Sequence, residues 1–217
     1  MNSAGPPLPG TIGPQQWFQV WRAAVMSPRT STYADIASRP GVNSRRALAW
    51  MLTASLISVL PLVSLSLLHI RSGVSTTRVA DALAEALNSP LLLTFVPIAI
   101  GVVTALGLAA WAAIAHLTAR LLGGDGPFPA LLFTFAAFSA PLTLIGTVLV
   151  TVTPIQGLST FAFAYQVLLA IIATKAIHRL GWVRAILPTA LATVLVFVVA
   201  PFCLQAILFL ILFRPAP

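Results

Sequence analysis

The chain has 217 residues, of which 59% are hydrophobic and only 7% are charged. A water-soluble domain carries roughly 25% charged residues, so this composition excludes an ordinary soluble fold and points to long segments in lipid. The formal net charge of +8 would suit nucleic acid on a soluble domain, but the basic residues lie outside the apolar runs, where they report membrane orientation rather than a nucleic-acid partner.

Residues 1–13 contain Pro6, Pro7, Pro9 and Gly10 and are expected to form a disordered tail. A secretory leader would place its apolar core within roughly the first 15–30 residues. Here the first long apolar run begins near Ala47 and is expected to stay as structure. Residues 14–26 read as a helix, with Trp17, Val20, Trp21, Ala24 and Val25 on one face and Arg22 beside them. That face suits either the headgroup region of a membrane or packing on the chain's own helices. Residues 27–46 hold Pro28, Pro40 and Gly41 with Arg29, Arg39, Arg45 and Arg46. They read as a basic linker, so that 14–46 is expected to be a cytoplasmic interfacial helix followed by a linker.

Five apolar runs follow, at about 47–70, 91–115, 130–152, 157–177 and 185–213. Each reaches the roughly 20 residues that a helix needs to cross the hydrocarbon core. The fold expected is therefore all-α: a bundle of five transmembrane helices over 47–213, preceded by a short interfacial helix. The third and fourth runs are joined by a few residues around Pro154, which predicts a tight hairpin. Between the first two runs, Val79, Leu83, Ala86 and Leu87 share a helical face opposite Asp81 and Glu85, which predicts a short amphipathic helix. Pro61, Pro97, Pro141, Pro188 and Pro201 fall inside runs and are expected to kink them.

Lys and Arg distribute unevenly about these runs. Nine fall on one side: Arg22, Arg29, Arg39, Arg45, Arg46, Arg120, Lys175, Arg179 and Arg184; the other side has three, Arg71, Arg78 and Arg214. The positive-inside bias puts the N-terminus in the cytoplasm and the C-terminus outside. Arg supplies eleven of the twelve basic residues, a codon bias that fits a GC-rich bacterium and hence its inner membrane.

Few residues offer chemistry. Gly101, Ala105, Ala109 and Ala113 recur at four-residue steps, a stripe of small side chains that lets helices approach closely in lipid. The same line leads to His116 and Arg120. Lys175, His178 and Arg179 close the fourth run and Arg184 opens the fifth, with Trp182 between them at the level of an aromatic belt. His116, Arg120, Lys175, His178, Arg179 and Arg184 together form one basic face, a candidate site for lipid headgroups or a partner protein. The loop Gly123-Gly124-Asp125-Gly126 reads as a compact turn, since it lacks the strand and the Lys of a phosphate loop. No Asp or Glu lies within a run, which argues against proton- or cation-coupled transport. Thr147, Tyr165, Gln166 and Gln205 are expected to hydrogen-bond between helices. Ser139 and the histidines have no carboxylate partner in reach of a predictable helix register, which argues against a serine nucleophile. The lone Cys203 has no ligand cluster around it and is expected to be a small buried hydrophobe. No catalytic, cofactor-binding or metal-ligating residue is expected.

Two stretches carry a family resemblance. One is His116-Leu-Thr-Ala-Arg120-Leu-Leu-Gly-Gly-Asp-Gly-Pro-Phe128, followed by Phe138-Ser139-Ala140-Pro141. The other runs from Ala164-Tyr165-Gln166 to Ala176-Ile177-His178-Arg179 and on to Arg184-Ala185. With Trp21 to Pro28 and Ile36 to Ala47, they resemble the Yip family, named for its Ypt/Rab-interacting members, over roughly residues 17–205. The resemblance implies five spans and a cytoplasmic N-terminus. Eukaryotic members are tied to Rab GTPases and vesicle traffic; this chain lacks the long N-terminal region they use, so Rab binding is not carried over. What the resemblance implies is a non-enzymatic scaffold of bacterial type that works among membrane lipids, as a homo-oligomer or with another membrane protein. The alternative is a small transporter or lipid-handling protein that uses the kinked helices and the mouth formed by His116 and Arg120.

Overall fold

The computed structural model describes residues 14–71, 89–152, 158–203 and 205. Every element among them is helical: α1 Pro14–Met26, α2 Thr30–Ala37, α3 Ser44–Arg71, α4 Pro90–Leu121, α5 Phe128–Val152, α6 Leu158–His178 and α7 Trp182–Val194. A π-helical turn, Leu195–Val199, extends α7. The expected tail, the amphipathic helix around Asp81 and Glu85, and the hairpin turn at Pro154 lie outside the described residues.

Among the described residues, four helices are long and apolar enough to cross a membrane: Pro97–Leu121, Phe128–Val148, Thr160–His178 and Trp182–Cys203. At about 1.5 Å per residue, the 28 residues of α3 also exceed the roughly 30 Å of a hydrocarbon core. α4 runs six residues beyond the expected end at Ala115, because Ala119 and its neighbours still have a helix partner to pack on.

The centre of the bundle is α5. Residues 130–142 are buried on every side, as an all-round apolar helix requires, and α1, α2, α3, α4 and α6 all pack around it. α7 is the opposite case. Only 17% of its span is buried inside the bundle, against 56% for α5, so most of the α7 surface is left for lipid. Trp182, Val183, Ile186, Leu187, Leu191 and Val194 lie exposed along it.

Aromatic side chains lock the helices around α5. Trp50 of α3 stacks on Phe133 at 4.7 Å and receives the edges of Trp17 and Trp21 from α1 at 5.6 and 5.9 Å. Trp111 of α4 sits 4.8 Å from Phe135, and its indole N–H donates to Thr193 Oγ1 of α7 at 3.1 Å. Polar side chains add further ties. Gln166 donates to Ser139 Oγ at 2.9 Å, and Thr189 donates to Thr174 Oγ1 at 3.2 Å.

Of the two placements the sequence leaves open for the N-terminal helix, the structure takes packing on the chain's own helices. The apolar face of α1 is buried against the bundle, with Val20 and Ala24 fully covered and Phe18, Arg22 and Met26 left outside. Its last carbonyls, which a helix end leaves without partners, accept hydrogen bonds from two tyrosines: Tyr33 O–H donates to Ala24 O at 2.8 Å, and Tyr165 O–H donates to Val25 O. The presumed linker contains α2, whose Tyr33 and Ile36 are buried against α5 and α6. Burial drives the Tyr33 phenol well above its ordinary pKa, and the nearby Tyr165 adds to the shift.

Two further points correct the sequence reading. Cys203 is exposed rather than buried. The buried line on α4 runs through Ala105, Leu108, Ala112, Ala115 and Ala119, while Ala109 and Ala113 are only half-buried. Strict four-residue steps rotate by about 40° each on a helix of 3.6 residues per turn, so the stripe drifts toward the edge of the contact face, where Ala109 still packs on the core. Its first two members are buried, and a Cβ on Gly101 would come within 3.0 Å of Leu52 Cδ1 of α3.

Candidate functional site

The candidate residues gather at the end of the bundle where α4 and α6 finish and α5 and α7 begin. Two matching helix caps build this end. At the end of α4, Gly124 N–H donates to Ala119 O at 2.9 Å and Gly123 N–H to Arg120 O at 3.1 Å, with Gly123 at φ +89°. This is a Schellman cap with glycine in its left-handed position. At the end of α6, Leu180 N–H donates to Lys175 O at 3.2 Å, and the left-handed position falls to Arg179 at φ +54°. A side chain there carries a backbone cost that glycine avoids.

The loop after α4 lies directly on the end of α6. A Cβ on Gly124 would meet His178 Cβ at 2.8 Å, and one on Gly126 would strike the Ile177 carbonyl oxygen and lie 2.7 Å from its carbon. These glycines let one backbone lie against another. The contact brings His178 under the loop. Gly126 N–H donates to His178 Nδ1 at 3.2 Å, and His178 Nε2 lies 3.3 Å from His116 Nδ1. Because Nδ1 accepts, the ring proton of a neutral His178 belongs on Nε2, from which it donates to His116. His178 is 1% exposed, and the edge of Phe128 covers His116 at 5.6 Å. The pair joins α4, the loop before α5, and α6 through a chain of hydrogen bonds.

Charges border this clamp. Arg179 pairs with Asp125 at 3.6 Å, both side chains largely exposed, so the pair adds little stability. The Lys175 ammonium sits 5.0 Å from the centre of the Trp182 ring, a cation–π contact. Arg120 and Arg184 are exposed. Of the six basic-face candidates, His116 and His178 thus turn inward to each other, Lys175 and Arg179 face a groove beside α2, and Arg120 and Arg184 project outward. That groove, of about 400 Å³, is lined by Thr30, Ser31 and Ala34 of α2 and by Lys175, Ala176, Arg179 and Leu180.

The sequence reading missed three things: the pairing of His116 with His178, the groove, and the steric demand at Gly124 and Gly126. The spacing of His116 and His178, 62 residues apart, carries no local signal. The cluster of glycines was the one visible trace of the close backbone approach. Chemically, the arrangement holds polar groups in fixed partnerships and leaves cations at its margin. Among the described residues no three His, Cys, Asp or Glu side chains converge as a metal site would need.

Comparison with known proteins agrees with the architecture. The model of the Yip1 domain matches residues 23–212, which takes in α2 to α7 and all six basic-face candidates. No curated protein and no solved structure matches the chain. With four helices able to span a membrane and a family match over most of its length, the chain is a multi-pass membrane protein that belongs to the Yip1 domain family.

Proposed function

We propose that the chain is a non-enzymatic scaffold that spans the bacterial inner membrane five times, with α3 as its first crossing, its N-terminus in the cytoplasm and its C-terminus outside. The observation that carries the scaffold reading is how polar groups within the spans are used. Gln166 with Ser139, Thr189 with Thr174, Trp111 with Thr193, and Tyr165 with Val25 are all spent on joining helices. A solute pathway instead needs polar groups turned toward a passage. The exposed apolar faces of α4 and α7 offer surface to lipid, to a second copy or to another membrane protein.

The competing reading is transport or lipid movement. Reconstituted protein in vesicles, loaded with a fluorescent lipid or small solutes, separates the two. The scaffold reading predicts no flux above empty vesicles, together with defined crosslinks from α7 positions such as Val183 to one neighbour. Flux that Arg120→Ala weakens would favour the second reading.

A further inference from the structure

We infer that the groove between α2 and the end of α6 is a binding site for an anionic phosphate ester. It rests on the proposed function only for the expectation that this end of the bundle meets the membrane surface; the site itself is read from its geometry.

Three observations support it. The cavity, at about 400 Å³, lies within the range of small-ligand clefts, roughly 300–1,000 Å³. Its two ionisable lining residues are Lys175, a point cation on the last turn of α6, and Arg179, a planar fork at the left-handed residue that caps the helix. Across from them Thr30 and Ser31 of α2 line the groove, and hydroxyls donate readily to phosphate oxygens. No carboxylate lines the groove among the described residues.

Both cations are held, but lightly. Lys175 rests on the Trp182 ring, which fixes its position without consuming its N–H donors. Arg179 leans on Asp125 across 3.6 Å with both side chains largely in solvent. Such an exposed pair is weak, so a phosphate that accepts two hydrogen bonds from the guanidinium displaces it. Asp125 therefore competes with the ligand. This gives the proposal a sign that a merely electrostatic surface lacks: removing the Asp125 charge strengthens binding.

The ester has two sources, a phospholipid headgroup at the membrane surface or a soluble phosphate compound. The test uses the full chain in phosphatidylcholine nanodiscs, titrated with short-chain phosphatidylglycerol in one arm and inorganic phosphate in the other, with binding read by native mass spectrometry and calorimetry. Wild type is expected to bind phosphatidylglycerol, the Lys175→Gln/Arg179→Gln pair to weaken it at least tenfold, and Asp125→Asn to strengthen it two- to fivefold. Arg184→Gln, an exposed cation outside the groove, is expected to leave it within twofold. Binding of phosphate alone, with the same variant pattern, assigns the soluble source; binding of the lipid alone assigns the headgroup. Thermal unfolding of each variant checks that the fold survives, and a double variant that does not fold is replaced by Arg179→Gln, expected to weaken binding at least threefold. The proposal is overturned if wild type binds neither probe, if Arg184→Gln weakens binding as much as the groove variants, or if Asp125→Asn weakens it. Failure here with no flux and intact crosslinks in the vesicle experiment would leave the scaffold reading standing.

Discussion

At Gly126 an added methyl would strike the Ile177 carbonyl, and neither backbone can yield without moving a helix. At Gly123 there is open space, but φ is +89°. These two glycines predict different costs. Gly123→Ala should destabilise by about 1 kcal/mol through backbone strain alone. Gly126→Ala should cost about 2–4 kcal/mol, because overpacking forces the loop off His178 and breaks its hydrogen bond. Thermal unfolding in detergent orders the two. Arg179 offers the reverse case. Arg179→Gly relieves a left-handed side chain and should stabilise by about 1 kcal/mol while removing a groove cation. A gain in stability with a loss of phosphate binding would separate backbone from ligand at one residue. Tyr33 carries the pH prediction. Its folded pKa lies above the ordinary value of 10.0, so the neutral phenol stabilises the fold fully below about pH 10, and this contribution is lost as pH rises further. Stability should therefore fall above about pH 10, and Tyr33→Phe should flatten that fall while costing about 1–2 kcal/mol at neutral pH, because Ala24 O loses its donor.

Among the elements, α4 shows how a sequence pattern and a packed face diverge. Gly101 abuts Leu52 of α3 and Ala105 is buried, yet by Ala109 and Ala113 the stripe has begun to rotate off the buried face. Gly101→Ala should be tolerated, since the atom it meets is the end of a flexible leucine. Gly101→Ile should push α3 from α4 and lower the melting temperature by several degrees. The limits of α1, Pro14–Met26, matched the spacing of its apolar residues because its aromatic face is continuous. The short α2 was hidden for the opposite reason. In eight residues it has only Tyr33 and Ile36 as large buried anchors, too few to mark a period. At the end of α7, Pro201 cannot donate to Phe197 O, and the π-helical turn over Leu195–Val199 widens the helix just before it, as such turns do near interrupted ladders. The pairing of His116 with His178 and the groove beside α2 were out of reach of any local pattern, since each needs the relative placement of distant helices.

For the molecule as a whole, composition alone places most of the chain in lipid, and the match to the Yip1 domain over residues 23–212 agrees with that placement. The buried α5 and the exposed α7 give the bundle a fixed centre and a broad apolar rim. At its charged end, where α4 and α6 stop, a glycine loop lies against α6 over a histidine pair. This end is the one that the Lys and Arg count assigns to the cytoplasm. The account depends most on that assignment and on an odd number of crossings. The direct test places an epitope tag at each terminus and treats sealed right-side-out membrane vesicles with an impermeant protease. The account predicts a protected N-terminal tag and a cleaved C-terminal tag; two tags of equal accessibility would contradict it.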